Sequence, residues 1–230
     1  MKRAALGFFA GVRALLGGVA FIVTTPSAWG WALIPVLVAG LLFGGGAALA
    51  IWGGNILSEH LLVRLVFWAF GLVVAFFLAI SLAQPLSGFA LDAIARKQEL
   101  ALSGRTWPSQ PALAGALRSL RVTLTALAIG LPILAVLALV TFLFPPAAVV
   151  TVPLKFVVTG VLAAYDLLDY PLSQRGQSVA DRVAFIRANF AAVLGFGVAT
   201  AALLLIPGVG LFLLPFGVAG ATRMVVDADR

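Results

Sequence analysis

Little in this chain could do covalent chemistry. It holds one histidine, His60, two glutamates, Glu59 and Glu99, and no cysteine. No Ser/His/Asp set and no metal cluster can be assembled from these at plausible spacing, so the sequence argues against an enzyme and calls for no cofactor or metal. His60 beside Glu59 reads as a polar cap on an exposed turn. Charges set inside apolar stretches say more. Lys155 stands about eight residues past the Pro145-Pro146 pair, roughly 12 Å along a helix. A lysine at the centre of a bilayer costs about 2.5–3.5 kcal/mol. Either it faces a polar cavity, a carboxylate or a bound anion, or its hairpin is shallow and it snorkels to the headgroups. Asp166 and Asp169 fall at a helix C-terminus, where the dipole disfavours carboxylates. Each therefore needs a basic partner, and Arg175, Arg182 and Arg223 are the candidates for structural ion pairs. Gly208 and Gly210 either make a plain tight turn or present backbone amides to an anion. An anion path would draw on Lys155, Gly208, Gly210 and Arg223.

The elements that must position these residues are apolar helices. Of 230 residues, 63% are hydrophobic and 10% charged, with a mean hydropathy of +1.15. A soluble domain carries about 25% charge. No soluble fold of this size hides so much apolar surface, so the sequence predicts an all-α integral membrane protein with membrane lipids as its first partner. The absence of cysteine leaves the redox compartment open. A net charge of +7 would suggest nucleic acid in a soluble protein. Here it points to Lys and Arg facing anionic lipid, with no nucleic acid as partner.

We read residues 1–230 as one membrane domain. Residues 1–28 begin like a signal peptide, but Arg13 interrupts the apolar run and Thr25-Pro26-Ser27-Ala28 is a poor cleavage site, so an interfacial amphipathic helix is expected. Residues 33–52 form a first spanning helix, flanked by Trp29, Trp31 and Trp52 and ended by Gly53-Gly54-Asn55. Its Gly44-Gly45-Gly46 run permits close helix approach. Residues 61–83 form a second span, broken by Gln84-Pro85. Residues 86–121 form a cytoplasmic helical region in which Asp92 and Arg96 make an i,i+4 pair. Residues 122–168 make a first hairpin tipped by Pro145-Pro146. Residues 177–190 form an amphipathic helix, and residues 190–226 a second hairpin tipped by Pro207-Gly208. The arms of the second are about 16 residues, or roughly 24 Å, short of a hydrocarbon core of about 30 Å. The two hairpins look alike. Each has a second proline eight residues after the first of its tip, Pro153 and Pro215, and a closing aspartate, Asp166 and Asp227. Either an internal duplication or shared composition explains this. Thirteen of the 15 basic residues fall in the N-terminal segment, the central polar region, the stretch after Pro171 and the C-terminus. The positive-inside rule puts these in the cytoplasm, both termini included.

The second half carries Asp169-Tyr170-Pro171, an amphipathic helix, Phe196-Gly197, Ile206-Pro207, Pro215 and Gly220-Ala221-Thr222. The first half carries Gly11, Leu15-Leu16, Pro26, Ile34-Pro35 and Ala83-Gln84-Pro85-Leu86, the last matching an "A-x-P-[FL]" segment. In order and spacing this resembles the CysZ sulfate-permease family, also known as the etoposide-induced-protein domain family, over nearly the whole chain. The resemblance implies two long spanning helices, two shorter hemi-penetrating Pro-tipped hairpins and cytoplasmic amphipathic helices. It also implies homo-oligomers and, in bacterial members, sulfate uptake across the inner membrane. Members resemble "P-G-[IL]-R-R" before the first span. Here that loop reads Pro26-Ser27-Ala28-Trp29-Gly30-Trp31, without the arginine pair. The leading expectation is a permease for sulfate or a related small anion. The alternative is a non-transporting membrane protein that organises lipids or partner proteins.

Overall fold

The computed structural model describes residues 5–57, 59–108, 111–206 and 209–230, and among them it is helical with no strand. Nine α-helices follow in order: α1 (Phe8–Thr24), α2 (Pro26–Leu57), α3 (Leu61–Leu86), α4 (Gly88–Ser103), α5 (Ala112–Leu143), α6 (Ala148–Gln174), α7 (Val179–Ala188), α8 (Phe190–Leu204) and α9 (Leu213–Asp229). Short 3-10 turns at Pro145–Ala147 and Val209–Phe212 precede α6 and α9.

Local chemistry sets most of the breaks. Pro26 opens α2 at the position where a missing N–H costs nothing. Gly104, at φ +70°, ends α4 and donates its amide to the Leu100 carbonyl. Ser178 and Asp181 form a capping box that starts α7. Several breaks differ from the sequence reading. Gln84-Pro85 does not break α3, which runs on to Leu86 with Pro85 inside it, and α6 passes the expected end at 168 and continues through Pro171 to Gln174. Gly53-Gly54-Asn55 does not stop α2, which runs on to Leu57. Gly54 serves packing instead, since a Cβ there would lie 2.7 Å from the Trp68 ring. Residues 111–121 are not separate from the first hairpin. They are the opening turns of α5, one 32-residue helix. No residue between Pro111 and Pro132 breaks the helix, and Gly115 and Gly130 lie inside it. Prolines 35, 132, 153 and 171 all sit inside helices, as membrane helices tolerate.

Two packing regimes follow. α2 packs chiefly on α3. There Gly46 and Gly71 face Ala75 and Ala50 closely, while Gly44 and Gly45 face open space. Elsewhere the pair is exposed, with Leu37, Leu41, Leu62 and Phe70 each more than 60% accessible. Exposing a single such side chain to water costs about 1.5–3 kcal/mol. A hydrocarbon solvent removes that cost. Four helices, α2, α3, most of α5 and α6 with its 3-10 turn, are long and apolar enough to cross a membrane. This is an integral membrane protein.

The buried core lies elsewhere, where α1, α4, α6, α8 and α9 meet. Leu15, Leu91, Ile94, Tyr170, Phe196, Val218 and Met224 are fully enclosed there. α1 packs on both α8 and α9, far more than those two pack on one another. The N-terminal helix thus has a protein partner along one face, a difference from the interfacial helix read from sequence. Glycine allows it, since a Cβ on Gly18 would lie 2.2 Å from the Gly220 amide nitrogen. The Leu6 amide donates to Asn189 Oδ1 (3.2 Å) and ties the same end to the start of α8.

Candidate functional site

The first polar group is built at the turn between α5 and α6. Thr141 lies in the last turn of α5, and Thr151 and Lys155 lie one turn apart on α6. Lys155 Nζ donates to Thr141 Oγ1 (2.9 Å). Thr141 Oγ1 and Thr151 Oγ1 stand 2.6 Å apart and share a hydrogen bond. Each hydroxyl also sits within bonding distance of a carbonyl four residues back, Leu137 O (2.7 Å) and Ala147 O (3.0 Å). A threonine hydroxyl has one proton and two lone pairs. Accepting from Lys155 therefore leaves Thr141 free to donate to Leu137 or Thr151. Thr151 is buried and Lys155 half-buried. Among the described residues no carboxylate pairs with Lys155.

The second group is a layer of ion pairs at the other end of these helices, about 21 Å along α6 from Lys155. Arg118, in the first turns of α5, bridges two buried carboxylates. Its Nε reaches Asp169 Oδ2 (3.1 Å), and its Nη2 reaches both oxygens of Asp92 on α4 (3.1 and 3.3 Å). Arg182 on α7 also pairs with Asp169. Gln174 Nε2 donates to the Asp92 carbonyl (2.7 Å). A neighbouring pair joins Arg175, just past α6, to Glu99 on α4 (2.8 Å) and to Asp229 on α9 (2.6 Å). Asp169 is 3% exposed and Glu99 fully buried, so each carboxylate needs its cation. Burial raises the Asp92 carboxyl above its ordinary value, against the pull of Arg118. One guanidinium shared by two buried acids does not cancel both desolvation penalties.

The family described as sulfate transporter CysZ/Etoposide-induced protein 2.4 matches residues 14–215. The chain belongs to that family. The match to CysZ/Etoposide-induced protein 2.4 includes both polar groups at Lys155 and at Arg118, and stops before Arg223 and Asp229. No curated protein matches the chain.

Within this CysZ-family chain the residues singled out from sequence are dispersed. Asp169 meets Arg182, and also Arg118, 51 residues away, which local spacing gave no reason to choose. Arg175 pairs with Glu99 and Asp229 instead. Arg223 faces Asp227 (3.8 Å) on the same helix and lies over Gly17, well away from Lys155 in sequence and element. Asp166 sits half-buried in α6, one turn before Asp169. Gly208 lies outside the described residues, and Gly210 lies in the 3-10 turn before α9. Asp92, expected to pair with Arg96, takes Arg118 instead. Thr141 and Thr151 went unnoticed, although Thr151 stands four residues before Lys155 and shares its helix face.

Proposed function

We propose that this chain is a CysZ-like permease for sulfate or a related small anion. The observation that carries the reading is Lys155, a cation within an apolar hairpin that is held by one hydroxyl, that of Thr141, and by no described carboxylate. Such a charge is costly in lipid unless water or an anion offsets it. A single neutral hydroxyl leaves its positive potential largely intact, which is what a passing anion needs. The family match supports the class of protein. In this reading the chain is not an enzyme and needs no cofactor. It sits in a bacterial inner membrane as a homo-oligomer, with both termini and the ion-pair layer cytoplasmic.

The second hairpin then penetrates part-way, because α8 and α9 have 15 and 17 residues against the roughly 20 a span needs. The helices of the first hairpin are long enough to cross when upright, and they stop part-way only if strongly tilted. Radiolabelled sulfate flux into proteoliposomes tests the proposal. Lys155→Met keeps an apolar stem and removes the charge, and it should abolish or strongly reduce flux while the protein stays folded. Wild-type flux in that variant would reject the path. A second reading has its own support. The charged end is cross-linked by ion pairs among α4, α5, α6, α7 and α9, as suits a non-transporting protein that organises lipids or partners. Absence of sulfate flux in the wild type would favour it.

A further inference from the structure

Most arginines of the charged end are matched to acids; of the basic residues there that are not, Arg121 and Arg187 are exposed, whereas Arg96 and Lys97 are half-buried. Arg96 and Lys97, in the middle of α4, make no ion pair and no hydrogen bond among the described residues, though both are half-buried. Asp92, one turn before Arg96, is committed to Arg118, so it holds Arg96 only through space. Both cations line a recess of about 260 Å³ together with Trp31, Leu100, Thr106 and Trp107. The Trp107 indole Nε1 is buried and has no hydrogen-bond acceptor. A buried N–H without a partner costs about 1–3 kcal/mol. Two free cations and an orphaned donor around one recess form a site that lacks only its anion.

The placement of the recess narrows the occupant. Trp31 lies in the second turn of α2, a long exposed apolar helix, and its ring meets Phe89 edge-to-face at 6.5 Å. Two tryptophans at the mouth of such a helix mark the level at which it leaves hydrocarbon for headgroups. Leu100, on the same recess, is half exposed. An anion with apolar tails suits both halves of this surface, while a free ion uses only one. We propose that the recess formed by Trp31, Arg96, Lys97, Thr106 and Trp107 binds the phosphate of an anionic phospholipid headgroup. Arg96 and Lys97 neutralise it, and the Trp107 indole donates to a phosphate oxygen. The site is independent of anion transport.

The test uses the full chain reconstituted with phosphatidylcholine and phosphatidylglycerol, with native mass spectrometry counting retained phosphatidylglycerol. Arg96→Gln with Lys97→Gln should lower retention at least about tenfold. Arg121→Gln with Arg187→Gln removes the same charge from exposed positions on α5 and α7, and it should change retention by less than about twofold. Trp107→Phe keeps the ring and deletes the donor, for a loss of about threefold. Inorganic phosphate should not displace the bound lipid. Four results would overturn the site. They are unchanged retention in the folded double variant, an equal loss in the control pair, displacement by inorganic phosphate alone, and no effect of Trp107→Phe. The last decides the matter if the double variant fails to fold.

Discussion

The two Pro-tipped hairpins share a sequence pattern and are held in different ways. In the first, α5 and α6 pack on each other, and polar contacts pin the pair at its ends. Arg118 does so at one end and Thr141 with Thr151 and Lys155 at the other. In the second, α8 and α9 are splayed, and α1 fills the space between them. Its contacts run backbone to backbone through glycine. A Cβ on Gly11 would lie 1.8 Å from the Ala192 carbonyl oxygen, and one on Gly197 would lie 2.4 Å from that of Gly160 on α6. Where small residues line a helix the neighbour comes into contact along its length. Where Leu, Ile and Val line it, the pair relies on polar fastenings. A shared proline pattern sets where the chain turns and leaves its packing open.

If that distinction holds, removing charge should injure the first hairpin and adding bulk should injure the second. Arg118→Met strands Asp92 in a buried site and leaves Asp169 with Arg182 alone, and should cost about 3–5 kcal/mol in denaturant unfolding from detergent. A loss below about 1 kcal/mol would mean that water already serves both acids. Gly18→Ala drives a methyl into the backbone of α9 and should cost about 3 kcal/mol. Gly130→Ala, in the first hairpin, meets only the movable tip of Leu162 and should cost less than about 1 kcal/mol. Equal melting temperatures for the two alanine variants would break the comparison. Thr141→Val keeps the shape, removes the acceptor of Lys155, and should cost about 1 kcal/mol.

The smallest expected effect is one of pH. The folded Asp92 carboxyl lies above its unfolded value of 3.8, so the folded state holds this proton more tightly. Stability contributed by this group therefore rises as pH falls through the raised value toward 3.8 and is absent at neutral pH. The wild type should gain on Asp92→Asn across that window in pH-dependent melting. A gain for the asparagine variant on acidification would reverse the assignment.

Much of this was legible from local pattern. Charge-free apolar runs gave α2 and α3 to within a few residues at their inner ends, and Lys155 stood out because nothing else of its charge lies so far inside an arm. What escaped depends on distance along the chain. Asp92 pointed to Arg96 by helical spacing, yet Arg118 arrives from another helix and wins. Buried carboxylates are satisfied by whichever cation packing delivers, and i,i+4 geometry has no priority once water is excluded. Thr141 and Thr151 were hidden because threonine bonds its own helix backbone and passes unnoticed in an apolar run. The glycines at 53 and 54 looked like a stop, since only the bulk of Trp68 on the next helix shows that the gap is filled.

The seat of α1 also sets the order in which the protein can be finished. Leu6 bonds Asn189 across 183 residues, and the faces that receive α1 belong to the two helices synthesised after all the others. At about 5–20 residues per second, α1 waits roughly ten to forty seconds after its own synthesis before its partners exist. During that interval its apolar face must rest on lipid or on the insertion machinery. Assembly of the core is thus post-insertional by construction, and a ribosome stalled before α8 would leave a protein with its spans in place and its centre missing.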